Sequence, residues 1–121
     1  MNKIITIKLL AIGVIVMGFV HTAATFSPMI ADKLAPLSEG MQRACIYFSL
    51  MCGAMLILGG SIVHMLCGKA KEHPFLRTPL LLTYSMLVVD GILAVCFMPH
   101  NPCAWVIFVL SLLLLVVPKY K

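Results

Sequence analysis

The chain has 121 residues, 62% hydrophobic and only 11% charged, with nine Lys and Arg against four Asp and Glu and a formal charge of +5. A soluble domain of this size carries about 25% charged residues, so these charges cannot clothe a water-facing surface, and an ordinary soluble domain is excluded. The length leaves room for one domain and none for a separate catalytic module. The basic residues flank apolar runs instead of forming a patch, which fits lipid headgroups and topology signals rather than nucleic acid.

A spanning helix needs about 20 mostly apolar residues, and four stretches meet or approach that length. The first covers residues 9–26, with Lys3 and Lys8 before it and Ser27-Pro28 after it. Residues 1–24 also carry a signal-peptide pattern: a basic start, an apolar run, and Thr22-Ala23-Ala24 as a small-residue cleavage position. Retention of the first helix is the expectation; cleavage would leave three spans and an external N-terminus. An external loop, 27–44, follows. Within it Ser27-Pro28 starts a short interfacial helix carrying Met29, Ile30 and Leu34, and Pro36 ends it. Ser38 then caps an extension of the second span, where Glu39 and Arg43 have the spacing of an exposed helical pair. The plain reading of this loop is a connector lying on the membrane surface.

The second span is 45–67, closed by Gly68 and a basic turn. The third, 79–97, opens on Thr78-Pro79, an N-cap followed by proline at the first helical position, and stops before Pro99. The fourth, 102–117, lies between Asn101-Pro102 and Pro118. Its residues reach about 24 Å at 1.5 Å each, short for a core of about 30 Å, so local thinning or little tilt is implied.

Charge sets the orientation. With the N-terminus inside, Lys3, Lys8, Lys69, Lys71, Arg77, Lys119 and Lys121 are cytoplasmic and only Lys33 and Arg43 external, a seven-to-two bias. Trp105 and Tyr120 sit where interfacial anchors belong at the two ends of the last helix. The expected fold is therefore an all-α, four-helix transmembrane bundle, N-in and C-in, in a bacterial inner membrane.

Ionisable groups at bilayer depth are costly and each is a functional candidate. Asp90 lies near the middle of the third span, on a stripe with Thr83, Leu87 and Ala94 that points toward other helices. A charged, unpaired carboxylate there is untenable, so Asp90 is protonated or partnered. His21 is the expected partner, differing in depth by roughly 5 Å at 1.5 Å per residue, provided the two helices adjoin. Such a pair can lock two helices, relay protons or bind a cation, and the lock is the plainest of these. On the second span Ser49, Gly53, Gly60 and His64 form one stripe of mostly small residues, expected to let a neighbouring backbone approach closely. Ser111 is the one polar residue of the fourth span, which is expected to face lipid or a partner subunit.

Several chemistries lack their residues. His21 and His64 lie near opposite membrane faces and cannot sandwich a haem. Five cysteines, Cys45, Cys52, Cys67, Cys96 and Cys103, include no C-x-x-C and give neither a zinc motif nor a disulfide framework, although Cys45 and Cys103 both lie near the outer surface. Nine methionines, with Cys52 and Met55 on one turn, raise soft-metal binding, but no external Met-rich run accompanies them. No cofactor or metal is expected.

Gly18-x-x-His21-Thr22 closing the first span, Phe48…Gly53…Gly59-Gly60 in the second, and Pro99-x-Asn101-Pro102-x-x-Trp105 opening the fourth carry a resemblance. The chain resembles a family of small bacterial four-helix membrane proteins of unknown function, broadly like the DoxX-type group. The resemblance implies a compact bundle and no particular activity. The leading functional expectation is a non-enzymatic accessory or small-ligand or lipid-binding bundle, alone, as a homo-oligomer or with a partner membrane protein. The alternative is a small proton-coupled transporter using Asp90 with His21. An enzyme comes third, since no nucleophile–base arrangement is visible.

Overall fold

A computed structural model describes residues 3–117. Their helices are α1 (Lys3–Thr25), α2 (Pro28–Leu34), α3 (Glu39–Leu66), α4 (Arg77–Phe97, entered through a 3₁₀ turn at Pro74–Leu76) and α5 (Pro102–Val116), with no strand among the described residues. By length and composition α1, α3 and the Pro74–Phe97 segment can cross a membrane, and α5 is a shorter apolar helix. The expected positions of Pro118, Lys119, Tyr120 and Lys121 lie outside the described residues.

Helix boundaries follow local chemistry more than hydropathy. α1 begins at Lys3, ahead of the apolar run, because long lysine stems can lie along an apolar surface with their ammonium groups in water. α2 follows Ser27, whose extended backbone turns the chain before Pro28. Ser38 is likewise extended, so α3 starts at Glu39 and runs 28 residues. Glu39 in that first turn complements the helix dipole and pairs with exposed Arg43, a contact that contributes little. At α4 the expected Thr78 cap is replaced. The 3₁₀ turn winds directly into Arg77, with Leu76 already helical, so Thr78 lies inside the helix. Asn101 does cap α5: its Oδ1 accepts from the Cys103 amide at 3.0 Å, and Pro102 takes the first helical position.

Contacts fix an antiparallel ring. Gly60 meets Ala11 and Ile15, and Gly53 meets Gly18 and Thr22, so α3 descends as α1 rises. Gly59 touches Leu87 and Met86 of α4, and Gly91 of α4 touches Phe108 of α5. Each of α1 and α4 packs on both α3 and α5, which leaves α1 and α4 on a diagonal. The core is Ile7, Ala11 and Val14 from α1, Leu56 and Val63 from α3, Leu80, Tyr84 and Leu87 from α4, and Ile107 and Leu114 from α5. Outside, large apolar side chains such as Leu9, Phe19, Leu58, Leu82 and Val109 are exposed on every long helix. Water-soluble monomers avoid apolar surface on this scale.

The fourth apolar helix corrects one expectation. α5 does not lie outside the polar-lined interior. Ala104, Ile107, Ser111 and Leu114 are all buried, and the Ser111 hydroxyl is satisfied by the Ile107 carbonyl at 2.8 Å. A hydroxyl that bonds its own helix can be buried without a partner helix, so one serine in an apolar helix says little about which way the helix faces.

Candidate functional site

The polar residues of the interior gather toward the end of the bundle where α1 ends and α3 begins. His21 and Thr25, one turn apart on α1, both face Ser49 of α3. Ser49 Oγ lies 3.2 Å from His21 Nε2 and 2.7 Å from Thr25 Oγ1. Thr25 donates its one hydroxyl proton to the His21 carbonyl at 3.0 Å. It must therefore accept from Ser49, whose proton is then committed, so Ser49 can only accept from His21. The imidazole thus carries a proton on Nε2. Protons in this chain point from His21 through Ser49 to Thr25 and end on a backbone carbonyl of α1. A conduction path would need an onward acceptor, and here the chain turns back on its own helix.

Asp90 occupies a neighbouring position. Its half-buried carboxyl lies near the Cys52 thiol of α3 and within electrostatic reach of His21. Asp90 and His21 do not form an ion pair; among the described residues that contact is made by Arg43 and Glu39. The reason is topological. Direct pairing requires α1 and α4 to adjoin, but they are diagonal and α3 stands between them. Ser49 and Cys52, three residues apart on α3, carry the two contacts at depths differing by about 4.5 Å.

The other candidates fall as follows. The Thr83 hydroxyl bonds the Pro79 carbonyl at 2.9 Å, two turns from Asp90, and belongs to no cluster. The buried face of α4 is Leu80, Tyr84, Leu87 and Gly91, so the Thr83–Asp90 stripe lies along one flank of it rather than at its centre. Gly53 and Gly60 are pressed against α1, while His64 is half-buried in the last turn of α3. All five cysteines are free, with Cys45 exposed and Cys103 half-buried. Sequence reasoning missed Thr25 and the role of Cys52. The signal for Thr25 was its place four residues after His21, on the same face.

The Ser49 link gives a direct test. Ser49→Ala removes the hydroxyl common to both contacts and is expected to cost about 1 kcal/mol, the scale of interhelical hydrogen bonds in membranes. Ser61→Ala removes only a bond to the Ile57 carbonyl of the same helix, 2.7 Å long, and is expected to be near neutral. Unfolding in mixed detergent micelles separates the two.

A second feature lies at the same end. A cavity of about 470 Å³ opens between α2 and the α4–α5 connection. Met29 and Ile30 of α2 face Phe97, Met98 and Pro102 across it, and Lys33, His100 and Asn101 supply its polar groups. Residues 27–44, expected as a connector on the membrane surface, supply one wall of it.

The chain is thus an all-helical bundle with three helices long and apolar enough to cross a membrane and a fourth shorter one. Comparison with protein-family models, with curated proteins and with solved structures finds no match.

Proposed function

We propose that the chain is a four-span inner-membrane protein of bacterial type, with both ends cytoplasmic, that works as a non-enzymatic accessory or as a lipid- or small-ligand-binding bundle. One observation carries the functional part. The interior hydrogen-bond chain of His21, Ser49 and Thr25 closes on a carbonyl of its own helix, so it joins α1 to α3 and conducts nothing onward. The orientation is supported by Lys3, Lys8, Lys69, Lys71 and Arg77 at one end of the described bundle against Lys33 and Arg43 at the other. Ala11, Val14 and Gly18 of α1 are buried in the bundle, which supports the reading of α1 as a retained helix. The resemblance of its motifs to those of small DoxX-like proteins implies the same compact architecture. A homo-oligomer or a partner membrane protein would dock on the exposed apolar faces.

Proton-coupled transport is the second reading, and Asp90 is the observation behind it: a half-buried carboxyl in the electrostatic reach of His21. The two separate in proteoliposomes carrying a pH-sensitive dye. The wild-type chain is expected to pass protons no faster than protein-free vesicles, with or without added hydrophobic cations, and Asp90→Asn to change only folding or assembly. A substrate-dependent flux that Asp90→Asn abolishes at equal protein abundance would establish the transporter instead.

A further inference from the structure

The cavity between α2 and the α4–α5 connection has an asymmetric chemistry. No carboxylate is among its described lining residues, and each of its polar side chains offers a donor: the Lys33 ammonium, a His100 ring N–H and the Asn101 amide. The Asn101 carboxamide oxygen is already engaged by the Cys103 amide. Three carbonyls of the connecting loop are engaged as well. The Met98 carbonyl accepts from the Asn101 amide, the Asn101 carbonyl from the Ala104 amide, and the Pro99 carbonyl from Trp105 Nε1 at 2.9 Å. Pro99 and Pro102 bring no N–H of their own. Lys33 has no ion-pair partner, since the ion pair among the described residues joins Arg43 to Glu39. An unpaired cation with neutral donors, above a floor of Met29, Ile30 and Phe97, is complementary to a group that is anionic at one end and apolar at the other.

We propose that this groove holds the headgroup of an anionic phospholipid, its phosphate at Lys33 and its first methylenes along Met29, Ile30 and Phe97. The inference rests on the membrane-embedded reading above and deepens its lipid-binding branch. Three observations favour a lipid over a free anion. Most of the lining is apolar, which a small hydrated ion would not use. Phe97 is 81% exposed beside the groove, open to hydrocarbon. Trp105, whose amphipathic ring belongs at headgroup level, is tied to the same loop. The volume lies within the range of small-molecule sites.

Trp105 is the single tryptophan of the chain and reports on the lipid beside it. The full-length protein is reconstituted in phosphatidylcholine vesicles containing a small fraction of doxyl-labelled phosphatidylglycerol or of doxyl-labelled phosphatidylcholine, and Trp105 fluorescence quenching is compared. The anionic label is expected to be favoured about fivefold, the factor that one lysine supplies at an anionic surface. Lys33→Gln is expected to bring the preference close to one. Arg43→Gln, which removes a cation outside the groove, is expected to keep it. Equal quenching by both labels in the wild type would overturn the proposal while leaving the embedded bundle intact. A preference that survives Lys33→Gln, or that Arg43→Gln removes equally, would also overturn it. Absence of quenching by either label would overturn the membrane-embedded reading and the proposal together.

Discussion

Gly18→Ala is expected to loosen α1 from α3 and lower the unfolding free energy of the bundle by about 2 kcal/mol. A Cβ at this position would lie 2.7 Å from Ile57 Cγ1, 2.9 Å from the Gly53 carbonyl oxygen and 3.0 Å from the Ile57 amide nitrogen. Two of those three atoms are backbone, so no rotamer change relieves the contact and the helices must separate. Overpacking of this kind costs about 1–3 kcal/mol, more than the gain of up to about 1 kcal/mol when alanine replaces glycine in a helix. Gly60 is set in the same way, 2.9 Å from the Ala11 carbonyl oxygen, and Gly53 meets Gly18 and the Thr22 side chain. The contrast is Gly40, at the start of α3, where a Cβ would meet nothing within 4 Å. Gly40→Ala is expected to leave stability unchanged or slightly raised. Unfolding of both variants in mixed micelles, followed by circular dichroism, tests the pair. Equal stabilities would mean that α1 and α3 do not touch backbone to backbone.

Gly91→Val is expected to dislodge α5, at a cost of about 3 kcal/mol, the upper part of the range for overpacking. Here a Cβ would lie 2.8 Å from the Cα of Phe108, and a branched side chain adds two further methyl groups. α5 has 15 residues and rests mainly on α4 and α1, so displacement from Gly91 frees most of it. On its other flank the fit is looser. A Cβ on Gly13 would sit 3.4 Å from Leu110, ordinary contact, so Gly13→Ala is expected to be tolerated. Limited proteolysis in detergent reads the difference as early loss of the C-terminal segment in Gly91→Val alone. A variant as resistant as the wild type would show that α5 is not held at Gly91.

These glycines show where the sequence was legible. The small-residue stripe on the second apolar run identified Gly53 and Gly60 as surfaces of close approach, because spacing around a helix is fixed by its geometry. Ser-Pro and Asn-Pro punctuation placed the starts of α2 and α5 to the residue, whereas Thr78-Pro79 did not start α4. The start of α1 was less legible, at Lys3 rather than residue 9, since polar residues at a membrane boundary can be helical without being apolar. Neighbour relations were not legible at all. Asp90 and His21 differ in depth by only about 5 Å, but whether they meet depends on which helices adjoin, and the ring order puts α3 between them. The role of α5 was hidden for a related reason: a helix that is apolar all round gives no signal of which face is buried. The groove at Lys33 draws on segments more than sixty residues apart, which no local pattern joins.

Four spans with both ends on the cytoplasmic side are tested most directly by labelling from one side of the membrane. In a background with all five cysteines replaced, Gly40→Cys at the start of α3 and Lys71→Cys in the α3–α4 connection place one thiol at each end of the bundle. An impermeant maleimide applied to intact spheroplasts is predicted to label Gly40→Cys at once and Lys71→Cys only after lysis. Labelling of Lys71→Cys in intact spheroplasts, with Gly40→Cys protected until lysis or labelled equally, would contradict the proposed topology.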